Sequence, residues 1–184
     1  MTESGFRKLY WGFLFIMIDF RIMGFDILPD TIGYILFALG FSILASNSIY
    51  FVKARNFNIV MIVLSLFSIY EKPVQSGESW IHFGSLGFIG VLIGVITIIL
   101  GLLVIYNLFM GIKDMCEQRG EIGLCSEANK RWTQYLQLQI AAIFAFVLIF
   151  IPLLAIIYII VLLVVTVMLT VKIMKFMKKC GEGL

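Results

Sequence analysis

Four ionisable side chains, Asp19, Arg21, Asp26 and Asp30, fall inside or just beyond the first strongly apolar run of a chain that is otherwise almost free of charge away from its connecting segments. Ionisable groups in such a setting mark ligand, ion or proton paths, or form ion pairs that fix neighbouring helices. On a continuous helix Asp19 and Arg21 are two residues apart, about 200° around the axis, so they face opposite ways. Asp19 and Asp26, seven apart, would share a face with Gly12, Phe15 and Met23. This spacing turns Asp19 inward, towards a polar partner, a water or a ligand. Arg21 can snorkel to the nearer surface, where Asp30, Glu71 or Glu78 could meet it. Asp26, Pro29 and Asp30 form a turn-and-cap sequence at the start of a second helix. Two readings stay open for the cluster: a structural polar network, or a ligand site centred on Asp19.

A second set of polar residues lies within apolar runs at helical spacing. Asn58, Met61, Ser65 and Ser68 fall on one face of a third helix, and Gln134, Gln137, Ala141 and Ala145 on one face of a fifth. Such stripes pack helices together, and Asn58, Ser65, Gln134 and Gln137 are also the candidates for lining a polar cavity. Catalytic constellations are missing from the pattern. His82 is the single histidine, and no HExxH, GxSxG or P-loop sequence occurs. Gly24-Phe25-Asp26 is not the GxGD of intramembrane aspartyl proteases. Cys116, Cys125 and Cys180 are odd in number and widely spaced, unlike a disulfide framework or a zinc site, and read as reduced thiols. A non-enzymatic protein with no cofactor and no metal is expected.

The elements that must carry these residues are membrane helices. Apolar residues make up 61% of the 184 and charged residues only 14%, against roughly 25% charged in a soluble domain; the mean hydropathy is +1.05. Arg7 and Lys8 before an apolar run resemble a signal peptide's start. Asp19 and Arg21 stand where a cleavage site would lie, so the run is expected to remain as a first helix. The expectation is an all-α, compact helical bundle of six transmembrane helices in one domain. The spans are 8–25, 31–48, 57–70, 83–110, 132–150 and 153–173, with 113–131 a cytoplasmic loop. Five spans are the alternative, because the tract 136–171 could be read as one helix. At 36 residues it would measure about 54 Å, too long for a core of ~30 Å, and Pro152 suits a helix start.

Charge favours six. With a cytoplasmic N-terminus, six spans place twelve of the fourteen basic residues inside, all but Arg21 and Lys72, as the positive-inside rule expects. Both termini are then cytoplasmic. The first helix is marginal by itself. Its nine Leu, Ile and Phe residues over 9–25 contribute roughly −3 to −5 kcal/mol, and Asp19 and Arg21 offset about 5–7. Its hairpin with the second helix must help it insert.

Residues 19–40 (DFRIMGFDILPDTIGYILFALG) with Phe51-Val52-Lys53-Ala54-Arg55 resemble a group of small multi-pass membrane proteins of Gram-positive bacteria. That resemblance implies a bacterial cell-membrane location and brings no activity with it. Size and layout are also similar to the substrate-binding subunits of energy-coupling-factor vitamin transporters, although Phe13, Leu14, Phe15 and Ile16 stand where those usually carry AxxxA. The functional expectation is a polytopic accessory, sensory or protective protein. Its partners would be the lipid bilayer and a membrane protein or a second copy, with no nucleic acid. The alternative is a small-solute or ion binding and transport protein with an outward-facing site around Asp19.

Overall fold

The computed structural model describes residues 2–17, 21–22, 25–26, 30–66, 88–148 and 151–184. Six helices account for nearly all of them: α1 Thr2–Met17, α2 Asp30–Leu44, α3 Ile49–Leu66, α4 Phe88–Arg119, α5 Ile122–Leu148 and α6 Pro152–Gly183. The one extended feature among the described residues is a two-residue antiparallel ladder, β1 Arg21–Ile22 with β2 Phe25–Asp26. Among the described residues, three helical segments are long and apolar enough to cross a membrane: α3, residues Leu92–Arg119 of α4, and α6. The 15-residue α2 is apolar but shorter.

Each helix packs against its neighbours in sequence, and α6 closes the circle against α1. The Thr2 hydroxyl donates to the carbonyl of Leu184 at 3.0 Å, so the two ends of the chain meet. The α2–α3 turn lies at the same end, where the Ser48 hydroxyl donates to Asp114 of α4. Gly120 turns α4 into α5 there with φ of 73°, a left-handed conformation that glycine adopts without steric cost. We call this end the base. The fully buried side chains concentrate there: Phe6 and Leu9 of α1, Phe41 and Leu44 of α2, Phe51 of α3, Phe109 and Ile112 of α4, Phe176 and Met177 of α6. Away from the base, one face of α4 and one of α6 are bare among the described residues. Leu92, Ile96 and Ile99 of α4 and Leu153, Ile156, Ile160 and Leu163 of α6 are all exposed.

Several boundaries differ from the sequence reading, for one physical reason. Hydropathy marks what can lie in hydrocarbon, whereas helices also continue through charged residues into water. Arg7 and Lys8 are therefore inside α1, which begins at Thr2 rather than at residue 8. Lys53 and Arg55 are inside α3, which begins at Ile49 rather than 57. The stretch 113–131, expected as a loop, is the end of α4, a tight turn and the first part of α5. The opposite error occurs towards residue 25, where the expected helix would continue but Arg21–Ile22 and Phe25–Asp26 are extended. Arg21–Ile22 pair instead with Phe25–Asp26, with Arg21 opposite Asp26. Two residues separate the strands, as in the tightest hairpins. Carrying Asp19 and Arg21 on through a membrane helix would cost about 2.5–3.5 kcal/mol each. The shared helical face inferred for Asp19 and Asp26 therefore does not exist, because β1 and β2 are extended.

Close approach of backbones sets the α1–α2 contact. Glycines stand seven apart on both helices, Gly5 and Gly12 against Gly33 and Gly40. A Cβ at Gly12 would lie 3.0 Å from the Gly33 carbonyl oxygen and 2.4 Å from the Phe37 ring, and one at Gly33 would lie 2.9 Å from the Gly12 oxygen. Small residues of this kind let membrane helices approach until dispersion and Cα–H···O contacts hold them. The small polar residues Ser42 and, just beyond α2, Ser46 are exposed, and Ser42 donates to its own helix at Ala38. Gly94 and Gly101 of α4 likewise meet no neighbouring atom.

Candidate functional site

The sequence-derived candidates separate into three places. In the hairpin cluster, the backbones of Arg21 and Asp26 are register partners in the ladder. Asp30 is the first residue of α2, where a carboxylate suits the positive end of the helix. Asp19, the centre of that cluster as read from sequence, lies outside the described residues, and so does His82.

Asn58 and Ser65 belong to the α2–α3 seam. Residues Phe51, Ala54, Asn58, Met61 and Ser65 are the buried face of α3, spaced three and four apart in turn like the seam of a coiled coil. The Asn58 amide donates to the Tyr34 carbonyl at 2.6 Å. The Thr31 and Ser65 hydroxyls are 2.8 Å apart. Since Ser65 donates to the Ile62 carbonyl at 2.9 Å, Thr31 is the donor of that pair. These groups tie helix to helix. A double-mutant cycle of Thr31→Val with Ser65→Ala, read by thermal unfolding in detergent, is expected to give a coupling of about 0.6 kcal/mol and at most about 1.7.

Gln134 and Gln137 do line a cavity. It is a cleft of about 440 Å³ between α5 and α6, and the two amides share it with Tyr158 and Lys172. Its walls are apolar, with Leu138, Val161, Leu162 and Val165 among them. The Tyr158 hydroxyl donates to the Ala141 carbonyl at 2.8 Å and bridges the two helices at the end away from the base. Towards the base Gln134 Oε1 accepts from Arg131 at 2.9 Å, which leaves the Gln134 amide nitrogen free to donate. Sequence reasoning did not connect Lys172 with these amides. Lys172, Lys175 and Lys179 repeat at three and four residues and share a face of α6, but spacing within one helix does not say which helix that face meets.

That face is held to α5 by a charged latch. Arg131 pairs with Glu127 at 2.7 Å, and Lys179 reaches the other oxygen of the same carboxylate at 3.1 Å. Partial burial works to raise the Glu127 pKa, but the hydrogen bonds and charges of Arg131 and Lys179 outweigh it and hold the carboxyl below its ordinary value. A lowered folded-state pKa stabilises the fold above the unfolded value of about 4.3, and that contribution is lost as pH falls through the lowered value. The melting temperature in detergent should therefore drop below about pH 4, relative to its plateau from pH 5 to 7. Glu127→Gln should lower the plateau and remove this part of the acid dependence.

The three cysteines are free thiols. Cys116 and Cys180 are buried at the base, and Cys125 points its sulfur at the Lys113 carbonyl, 3.7 Å away. Among the described residues no group of three or more His, Cys, Asp or Glu side chains could hold a metal ion. Comparison with protein-family models, with curated proteins and with solved structures finds no match to the chain.

Proposed function

We propose that the chain is a six-span protein of a bacterial cell membrane, with its base and both termini in the cytoplasm. It acts without catalysis, as an accessory, sensory or protective protein working through contacts inside the bilayer. The observation that carries this reading is the contrast between engaged polar side chains and unengaged apolar faces. Polar side chains of the α2–α3 seam are engaged in helix–helix hydrogen bonds, while the outer halves of α4 and α6 present bare apolar faces. Faces of that kind suit lipid and partner helices. The excess of Lys and Arg at the base agrees with a cytoplasmic base.

The competing reading is transport of a small solute or ion through a site around Asp19. Reconstitution separates the two. In proteoliposomes the full chain should leave proton, sodium and small-solute permeability at the level of protein-free vesicles. A photo-crosslinker at Ile96 or Ile160 should join the chain to one discrete membrane protein or to a second copy. Flux that Asp19→Asn abolishes, with only lipid adducts at the two crosslinking positions, would replace this reading with transport.

A further inference from the structure

The α5–α6 cleft combines features that select one kind of occupant. Lys172 lies at its inner end and has no ion-pair partner among the described residues. Further along α6, Lys179 shares the single Glu127 carboxylate with Arg131, so that cluster keeps a net positive charge. Lys172 adds a further ammonium on the lining of the cleft itself. Gln134 and Gln137 add amide donors beside it, and the Arg131 contact turns the Gln134 oxygen aside. From Lys172 the trough runs to Tyr158, fourteen residues along α6. Gln137 lies within it, four residues before the Ala141 that Tyr158 reaches, and most of the other lining residues are apolar. The run from Lys172 to Tyr158 is about 21 Å of helix, more than the ~15 Å half-thickness of a hydrocarbon core. A cation with amide donors at the interface and a largely apolar channel leading inward match a phosphodiester headgroup with its acyl chain. A zwitterionic lipid would bring its own cation against Lys172.

We infer that the α5–α6 cleft is a binding site for an anionic phospholipid, with the headgroup phosphate on Lys172 and the Gln134 and Gln137 amides and one acyl chain in the trough. Basic pockets between membrane helices on the cytoplasmic side select anionic headgroups in this way. The inference rests on the membrane-embedded reading given above, and supplies that reading with a ligand.

Thermal unfolding of the full-length protein in detergent tests it, with phosphatidylglycerol, phosphatidylcholine or inorganic phosphate added. Phosphatidylglycerol should raise the melting temperature by about 3 °C or more, and the other two should not. Lys172→Gln should abolish the shift while leaving the lipid-free melting temperature unchanged. Lys175→Gln, which removes the same charge beside the cleft, should keep it. Val165→Trp, which fills the trough from a partly exposed position, should lose it. The inference is overturned if phosphatidylcholine or phosphate gives the same shift, if Lys172→Gln retains it, or if Lys175→Gln loses it equally. Its failure is distinguishable from failure of the membrane reading. A chain that an alkaline carbonate wash releases from membranes contradicts the membrane reading, whereas one that stays embedded and shows no selective shift contradicts only the lipid site.

Discussion

Gly12→Ala is expected to lower the stability of the folded protein by about 2–3 kcal/mol, and Gly12→Leu to prevent recovery of a monodisperse species at all. The added Cβ would lie 2.4 Å from a Phe37 ring carbon and 3.0 Å from the Gly33 carbonyl oxygen. The ring can rotate away, but the carbonyl belongs to helix backbone and can move only if α1 and α2 separate. Separation would also weaken the reciprocal contact of Gly33 with the Gly12 oxygen and that of Gly40 with the Gly5 oxygen. The hairpin is the part of the chain least able to tolerate this. α1 has 16 residues, about 24 Å, and the charged Asp19 and Arg21 follow it in sequence, so close packing on α2 must compensate for its weak insertion. Gly94→Ala is the matched control. A Cβ there meets nothing, and alanine favours helix by up to about 1 kcal/mol over glycine. Size-exclusion profile and thermal unfolding in detergent report both.

Phe41→Ala is expected to cost about 2–4 kcal/mol, measured the same way. Phe41 is fully buried and stands in the middle of an aromatic chain through three helices. Its ring centroid is 5.7 Å from that of Phe37 and 6.5 Å from that of Phe51, and Phe37 is 4.9 Å from Phe13. Truncation removes the link between α2 and α3 and loosens Phe37, which fills the space against Gly12. In lipid the unfolded chain is not driven out of water, so the loss is chiefly of packing. This places the expected cost somewhat below the 3–5 kcal/mol typical of buried Phe→Ala in soluble proteins. Ile160→Ala, on an exposed face of α6, should change the melting temperature little.

The helical, membrane-type character of the chain was plain in its apolar runs, and Pro152 marked the start of α6 where expected. The limits of the helices were not, because Arg7, Lys53 and Lys113 read as loop chemistry in a hydropathy profile and yet continue helices into water. The seam of α3 was readable, since Asn58, Met61 and Ser65 repeat at three and four. The α1–α2 seam was not legible because its glycines repeat at seven, Gly5 with Gly12 and Gly33 with Gly40, rather than at the four of a GxxxG pair. For the candidate site, Gln134 and Gln137 could be placed on one helical face from spacing alone. Their partner Lys172 could not, because its meeting with them depends on how α6 folds back along α5. The emphasis on Asp19 presumed a helix that continues to residue 25, and the Arg21–Asp26 ladder removes that premise.

The central claim is that the base is one cytoplasmic end of a six-span bundle. It is tested most directly by labelling single cysteines in intact cells with a membrane-impermeant maleimide, in a chain whose three native cysteines are replaced by alanine. Asn47→Cys in the α2–α3 turn, Gly120→Cys in the α4–α5 turn and Glu182→Cys near the C-terminus should label only after permeabilisation, and Ser76→Cys should label without it. Labelling of Asn47→Cys and Gly120→Cys from opposite sides of the membrane, or of Ser76→Cys from the same side as both, would contradict the account.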